Sequence, residues 1–70
     1  MHTTPRVLVR IQYSGISCAN TVPDTPGNAE HTLAVMYERH GIIPSKTNPL
    51  RGRVKLTGSR VKASIIPLDD

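Results

Sequence analysis

The sequence predicts an α+β fold: a small single-layer, three-stranded, mainly antiparallel sheet with one helix packed on one face, in the order β-α-β-β. Three observations predict it. Residues 6–13 and 53–66 alternate apolar and polar side chains with period two, as half-buried strands do. Residues 28–40, between them, repeat their apolar side chains at helical spacing. Clusters of Gly, Pro, Ser and Asn separate these pieces. The whole chain, 1–70, reads as one small basic domain.

Residues 1–5 are expected to form a flexible N-terminus. In the first strand, Val7, Val9, Ile11 and Tyr13 share one face, and Arg6, Leu8, Arg10 and Gln12 share the other. Its β-branched content favours a strand over a helix. Across 14–27 the composition shifts to Ser, Asn, Thr, Asp, Pro and Gly, which predicts a long loop. The helix follows over 28–40. Asn28 is a suitable N-cap, and Thr25 with Pro26 offers an alternative start. Ala29, Leu33, Met36, Tyr37 and His40 form its apolar stripe, with Val35 off it. Gly41 supplies the left-handed residue that ends many helices. Ile42-Ile43-Pro44 is expected to dock against the core edge, before a second loop over 45–52.

The segment 53–66 predicts a β-hairpin. Gly58-Ser59 suits a two-residue type II′ turn, because Gly takes the positive φ required at its first central position. Closing the turn there pairs Thr57 with Arg60, Leu56 with Val61, Lys55 with Lys62, and Val54 with Ala63. Apolar then meets apolar, at the cost of two opposed lysines. The expected core is Val7, Val9, Ile11, Leu33, Met36, Val54, Leu56, Val61, Ala63 and Ile65.

The chain has 70 residues, no Phe or Trp, and two tyrosines. Burial barely offsets conformational entropy at this size, so marginal stability or self-association as a homodimer is expected. The single cysteine, Cys18, excludes an intrachain disulfide and points to a reducing compartment. The opening residues lack the apolar stretch of a signal peptide, and no run is long enough to span a membrane. A cytoplasmic protein without a membrane partner is the expectation.

Net charge is +4. Lys46, Arg51, Arg53, Lys55, Arg60 and Lys62 follow one another with no intervening acid. If the strands share one sheet, parity gathers Arg6, Arg10, Arg53, Lys55, Arg60 and Lys62 on the face away from the helix. With Arg51 these are the candidate binding residues for duplex DNA, structured RNA or an acidic protein surface. Neither tyrosine has the parity of that face, so backbone contact is favoured over base stacking.

No catalytic, metal or cofactor signature accompanies them. Cys18 has no activating neighbours in sequence. His31 and His40 are nine residues apart, half a turn out of alignment, and neither Cys-x-x-Cys nor His-x₃-His spacing occurs. No glycine-rich phosphate loop is present.

The stretch Met36–Gly58, MYERHGIIPSKTNPLRGRVKLTG, is similar to the helix-then-wing segment of MerR-type and excisionase-type winged-helix DNA-binding domains. The matching positions are Tyr37, Gly41, Ile43, Pro44 and Arg53. This covers about a third of the chain, and the resemblance implies DNA binding through a basic wing. A strand stands where the first helix of a helix-turn-helix would be, and no helix follows the wing.

The function expected is that of a small nucleic-acid-binding accessory or regulatory protein, not an enzyme, that grips phosphates with its cationic sheet face. One alternative is a small phage or mobile-element protein that inhibits a host complex through this face and the 14–27 segment. A second is an RNA-cleaving toxin built on His31 or His40.

Overall fold

β1 (Arg6–Tyr13) turns back at Ser14-Gly15 and becomes β2 (Ile16–Pro23). In the computed structural model, which describes residues 5–68, α1 (Asn28–His40), β3 (Ile42–Pro44), β4 (Arg51–Val54) and β5 (Arg60–Leu68) follow. The strands form one five-stranded antiparallel sheet, in the order β2-β1-β5-β4-β3. The helix packs on one face, against β1, β2 and β3. The fold is α+β, but the sheet has five strands rather than the three expected.

Two of the extra elements come from segments read as irregular. The 14–27 loop is in fact a tight turn, a full-length strand and a short connection. Ser14 (φ 46°) and Gly15 (φ 76°) both adopt positive φ, as a type I′ hairpin turn requires. Tyr13 then faces Ile16, and the ladder runs to Arg6 opposite Pro23. Ile42-Ile43-Pro44 forms a short edge strand on β4.

The hairpin over 53–66 is also corrected. Arg53 pairs with Arg60, Gly52 with Val61, and Arg51 with Lys62, a shift of four residues along the first strand. The Val54 carbonyl accepts from Gly58 N–H (2.7 Å), closing one helical turn that Gly58 ends at φ 73°. Local backbone bonding here outweighs the apolar match of Leu56 with Val61. Leu56, expected in the core, is 95% exposed at the turn. Lys55 likewise leaves the ladder.

Gly52 explains why the shifted register fits. A Cβ there would lie 2.7 Å from the Ile43 carbonyl oxygen and 3.0 Å from Ile42 Cγ2. Only a residue without a side chain lets β3 and β4 approach this closely. Gly52→Ala is expected to destabilise the fold by about 1–3 kcal/mol, measurable as a lower denaturation midpoint.

The helix begins at a Gly27 N-cap (φ 79°) rather than at an Asn28 or Thr25 cap. Asn28 instead donates from Nδ2 to the Pro23 carbonyl (2.7 Å), tying the first turn to the end of β2. Gly41 (φ 65°) closes the helix, its N–H directed to the Tyr37 and Glu38 carbonyls. Ala29, Leu33, Met36 and Tyr37 bury against Val7, Val9 and Ile11 of β1, Val61 and Ala63 of β5, and Ile42 of β3. Val54 and Ile65 are half-buried at the margin. The N-terminal expectation over 1–5 lies, apart from Pro5, outside the described residues. Among the described residues no helix is long and apolar enough to cross a membrane.

Candidate nucleic-acid interface

Strand parity builds the site. Val7, Val9 and Ile11 face the helix, so Arg6, Leu8, Arg10 and Gln12 face away. Val61 and Ala63 point inward on β5, so Arg60, Lys62, Ser64 and Ile66 point outward. The ladder places Arg51 and Arg53 of β4 on this outer face as well. No described helix covers it, and the acids Glu30 and Glu38 lie on α1, on the other side of the sheet.

The cations are not evenly spread. Arg51, Arg53, Arg60 and Lys62 form two cross-strand pairs, Arg53 opposite Arg60 and Arg51 opposite Lys62. Val54 N–H donates to the Ser59 carbonyl (2.8 Å), and Ala63 N–H to the Leu50 carbonyl (2.8 Å). These bonds make 54/59 and 50/63 the hydrogen-bonded positions of the ladder. Alternation then makes 53/60 and 51/62 the non-hydrogen-bonded positions, where opposed side chains stand closest. Each like-charged pair costs a few tenths of a kcal/mol or more, unless an anion lies between.

Arg10 extends this group onto β1, one step diagonally from Lys62, which faces Gln12. Its Nε donates to Ser17 Oγ (3.2 Å), which aims the guanidinium across β2. Arg6 stands apart. It faces Leu68 at the far end of β1, with the Leu8–Ile66 pair intervening. The structure therefore brings together five of the seven candidates, Arg10, Arg51, Arg53, Arg60 and Lys62. Arg6 lies at a distance and Lys55 in the turn.

A shallow groove of about 550 Å³ runs among Arg51, Arg53 and Arg60, with Gly52 between them and Ile43 and Pro44 alongside. Apolar side chains share the outer face: Ile43 is 55% exposed and Ile66 40%. Sequence reasoning assigned no role to Leu8 or Ile66, and it set Ile43 with Ile42 and Pro44 against the core edge, where only Ile42 is buried. The even positions of β1 and β5 were the available signal for Leu8 and Ile66.

Both tyrosines are engaged elsewhere. Tyr13 Oη lies 2.8 Å from His40 Nδ1, with the two rings edge to face. Tyr37 is buried and donates to the Pro49 carbonyl (2.8 Å), which pins the β3–β4 connection to the helix. Burial pushes the Tyr37 phenol above its ordinary value. The neutral form is thus favoured in the folded state. Its contribution is complete below the unfolded value of about 10 and is lost as pH rises through the folded one. Stability is accordingly expected to decline above about pH 10, and the decline should vanish in Tyr37→Phe when both are unfolded in urea across that range.

The helix histidines do not converge as a catalytic pair would. His31 and His40 lie at opposite margins of a small cleft between α1 and β2, which Cys18, Asn20 and Arg39 also line. Nine residues at 1.5 Å rise separate them by about 13 Å along the axis. Among the described residues, no group of three or more His, Cys, Asp or Glu is placed to hold a metal ion.

The winged-helix likeness does not extend to the architecture. Ile43, Pro44 and Arg53 belong to one continuous sheet with β1 and β5, and α1 is the single helix among the described residues. No family model, curated protein or solved structure matches this chain.

Proposed function

We propose that the protein binds nucleic acid through its outer sheet face, by contact with the phosphate backbone of duplex DNA or structured RNA. The observation that carries this reading is the pair of opposed cation pairs, Arg53/Arg60 and Arg51/Lys62, with Arg10 beside them. A lone lysine on a strand is ordinary solvated surface. Four cations stacked at the closest positions of one ladder carry a repulsion that a phosphate between them relieves. Arg predominates, which suits bidentate contact with phosphate oxygens. The absence of an available aromatic on this face favours backbone contact over base stacking.

A second reading has its own support. Leu8, Ile43 and Ile66 interrupt the cationic surface with apolar area, which suits an acidic protein surface with an apolar centre. An inhibitor or adaptor would use the face in that way.

Titration of the purified protein against duplex DNA, duplex RNA and single strands at two salt concentrations separates these readings. Backbone binding requires an affinity that falls steeply with salt, and its loss in Arg51→Glu/Lys62→Glu. Absence of binding near physiological salt would remove the nucleic-acid reading and leave the protein-docking one.

A further inference from the structure

The two edges of the sheet are not alike. β3 is three residues long and ends in proline, which leaves little backbone to pair. β2 has eight residues, ISCANTVP, and carries no charge, although β1, β4 and β5 each carry two cations. Among the described residues it lies at the end of the sheet, with only β1 beside it. Edge strands are ordinarily protected by charge, proline or brevity. Along β2, proline occurs only at the last position.

The direction of its unpaired groups follows from the ladder. Asp24 N–H donates to the Pro5 carbonyl (2.8 Å), in register with the β1–β2 pairing. Even-numbered residues of β2 thus direct their backbone groups toward β1. Ser17, Ala19 and Thr21 direct theirs outward, each with both N–H and C=O.

We infer that β2 is a self-association edge, at which a second copy of this chain pairs antiparallel to give a continuous ten-stranded sheet. The strand is self-complementary about Ala19. Setting Ala19 opposite its counterpart brings Ser17 opposite Thr21 of the second copy, and the reverse. All outward donors and acceptors of these three residues are then matched, in six backbone hydrogen bonds. Shifting the register so that Ala19 faces Thr21 sets Pro23, which has no N–H, against Ser17 and leaves the Ser17 carbonyl unmatched in each copy.

Charge argues for this occupant as well. Each copy carries +4, and β2 itself adds no cation to the contact, which leaves Arg10, reaching across to Ser17, as the nearest charge on the outer face and Arg39 as that on the helix side. An uncharged edge offers nothing to select a strongly charged foreign strand. The cleft between β2 and α1 borders the same edge, lined by Cys18, Asn20, Thr32 and the off-stripe Val35 together with His31 and Arg39. Directly opposed residues of a sheet share a face. The helices of the two copies therefore lie on one side, and their outer faces join on the other. A stable interface buries about 1,000 Å² or more, so an edge contact supplemented by Val35 gives a reversible, concentration-dependent dimer.

The inference stands independently of the nucleic-acid reading, and sedimentation of the protein alone tests it. Wild type should shift from monomer to dimer with rising concentration. Ala19→Pro removes an N–H that the β1–β2 ladder does not use. It should retain the wild-type circular dichroism spectrum and weaken association about thirtyfold, through two lost hydrogen bonds. Ala19→Lys and Ala19→Glu place like charges opposite each other across the two-fold. Arg10 already stands beside residue 19, so Ala19→Lys should associate less than wild type, and its mixture with Ala19→Glu should form a heterodimer about fivefold more readily than Ala19→Lys alone. A wild type that stays monomeric up to its solubility limit would overturn the inference. So would folded Ala19→Pro that dimerises like wild type, or a mixture no better than Ala19→Lys alone.

Discussion

Arg51→Glu combined with Lys62→Glu is expected to lower nucleic-acid affinity by about two orders of magnitude near physiological salt, with the fold retained. Both side chains are exposed and opposed on the outer face, so the exchange costs no core packing. Each cation that neutralises a phosphate adds about 0.9 to the slope of log affinity against log salt for duplex DNA. The double variant should therefore show a slope shallower by about two, or more if the new carboxylates repel adjacent phosphates. Lys55→Glu serves as the comparison, because Lys55 lies in the turn and off the ladder; its effect should be smaller. Equal losses from Lys55→Glu and from the paired variant would show that net charge, and not this arrangement, governs binding. Fluorescence anisotropy with a labelled duplex at several salt concentrations provides the measurement.

Ile11→Ala is expected to remove about half of the protein's stability. Ile11 is fully buried at the centre of the sheet, facing Cys18 on one side and Ala63 on the other. Truncations of this type cost about 2–5 kcal/mol. A 70-residue chain has about 4–10 kcal/mol in total. Ile11→Val, at about 0.5–1.5 kcal/mol, should stay folded with a lower midpoint. Urea unfolding followed by circular dichroism distinguishes these outcomes. An Ile11→Ala midpoint equal to that of wild type would contradict the packing described.

β1 and α1 were legible in the sequence because each has a long, consistent period and, for α1, a terminal glycine that stops it. β2 was not. Its inward positions are Cys18, Asn20 and Val22, so a polar residue breaks the alternation at the middle of the strand. The Ser14-Gly15 dipeptide between Tyr13 and Ile16 was the remaining signal, and it marks a hairpin only if the following segment is read as a strand. β3 is too short for any period to register. The β4–β5 register was misread because apolar matching favoured Leu56 against Val61. The deciding features were a backbone turn from Val54 to Gly58 and the space that Gly52 leaves. The cationic face was nonetheless legible. The shift is four residues, an even number, so every residue remaining in the ladder kept its face. Lys55 was lost from the face because it left the ladder, and Arg51 joined it.

The pairing of β1 with β5 has a consequence for how the molecule assembles. The β1–β2 hairpin and the β3–β4–β5 meander are each local, joined in sequence by the helix. The seam between them sets Arg6 against Leu68, on strands that residues 14–59 separate in sequence. Neither half owns the hydrophobic layer: Val9 and Ile11 come from one, Val61 and Ala63 from the other. Collapse must therefore wait for a distant encounter, and folding should be slow for so short a chain. Strands remote in sequence make its keystone, so damage to β1 or β5 strikes the middle of the sheet.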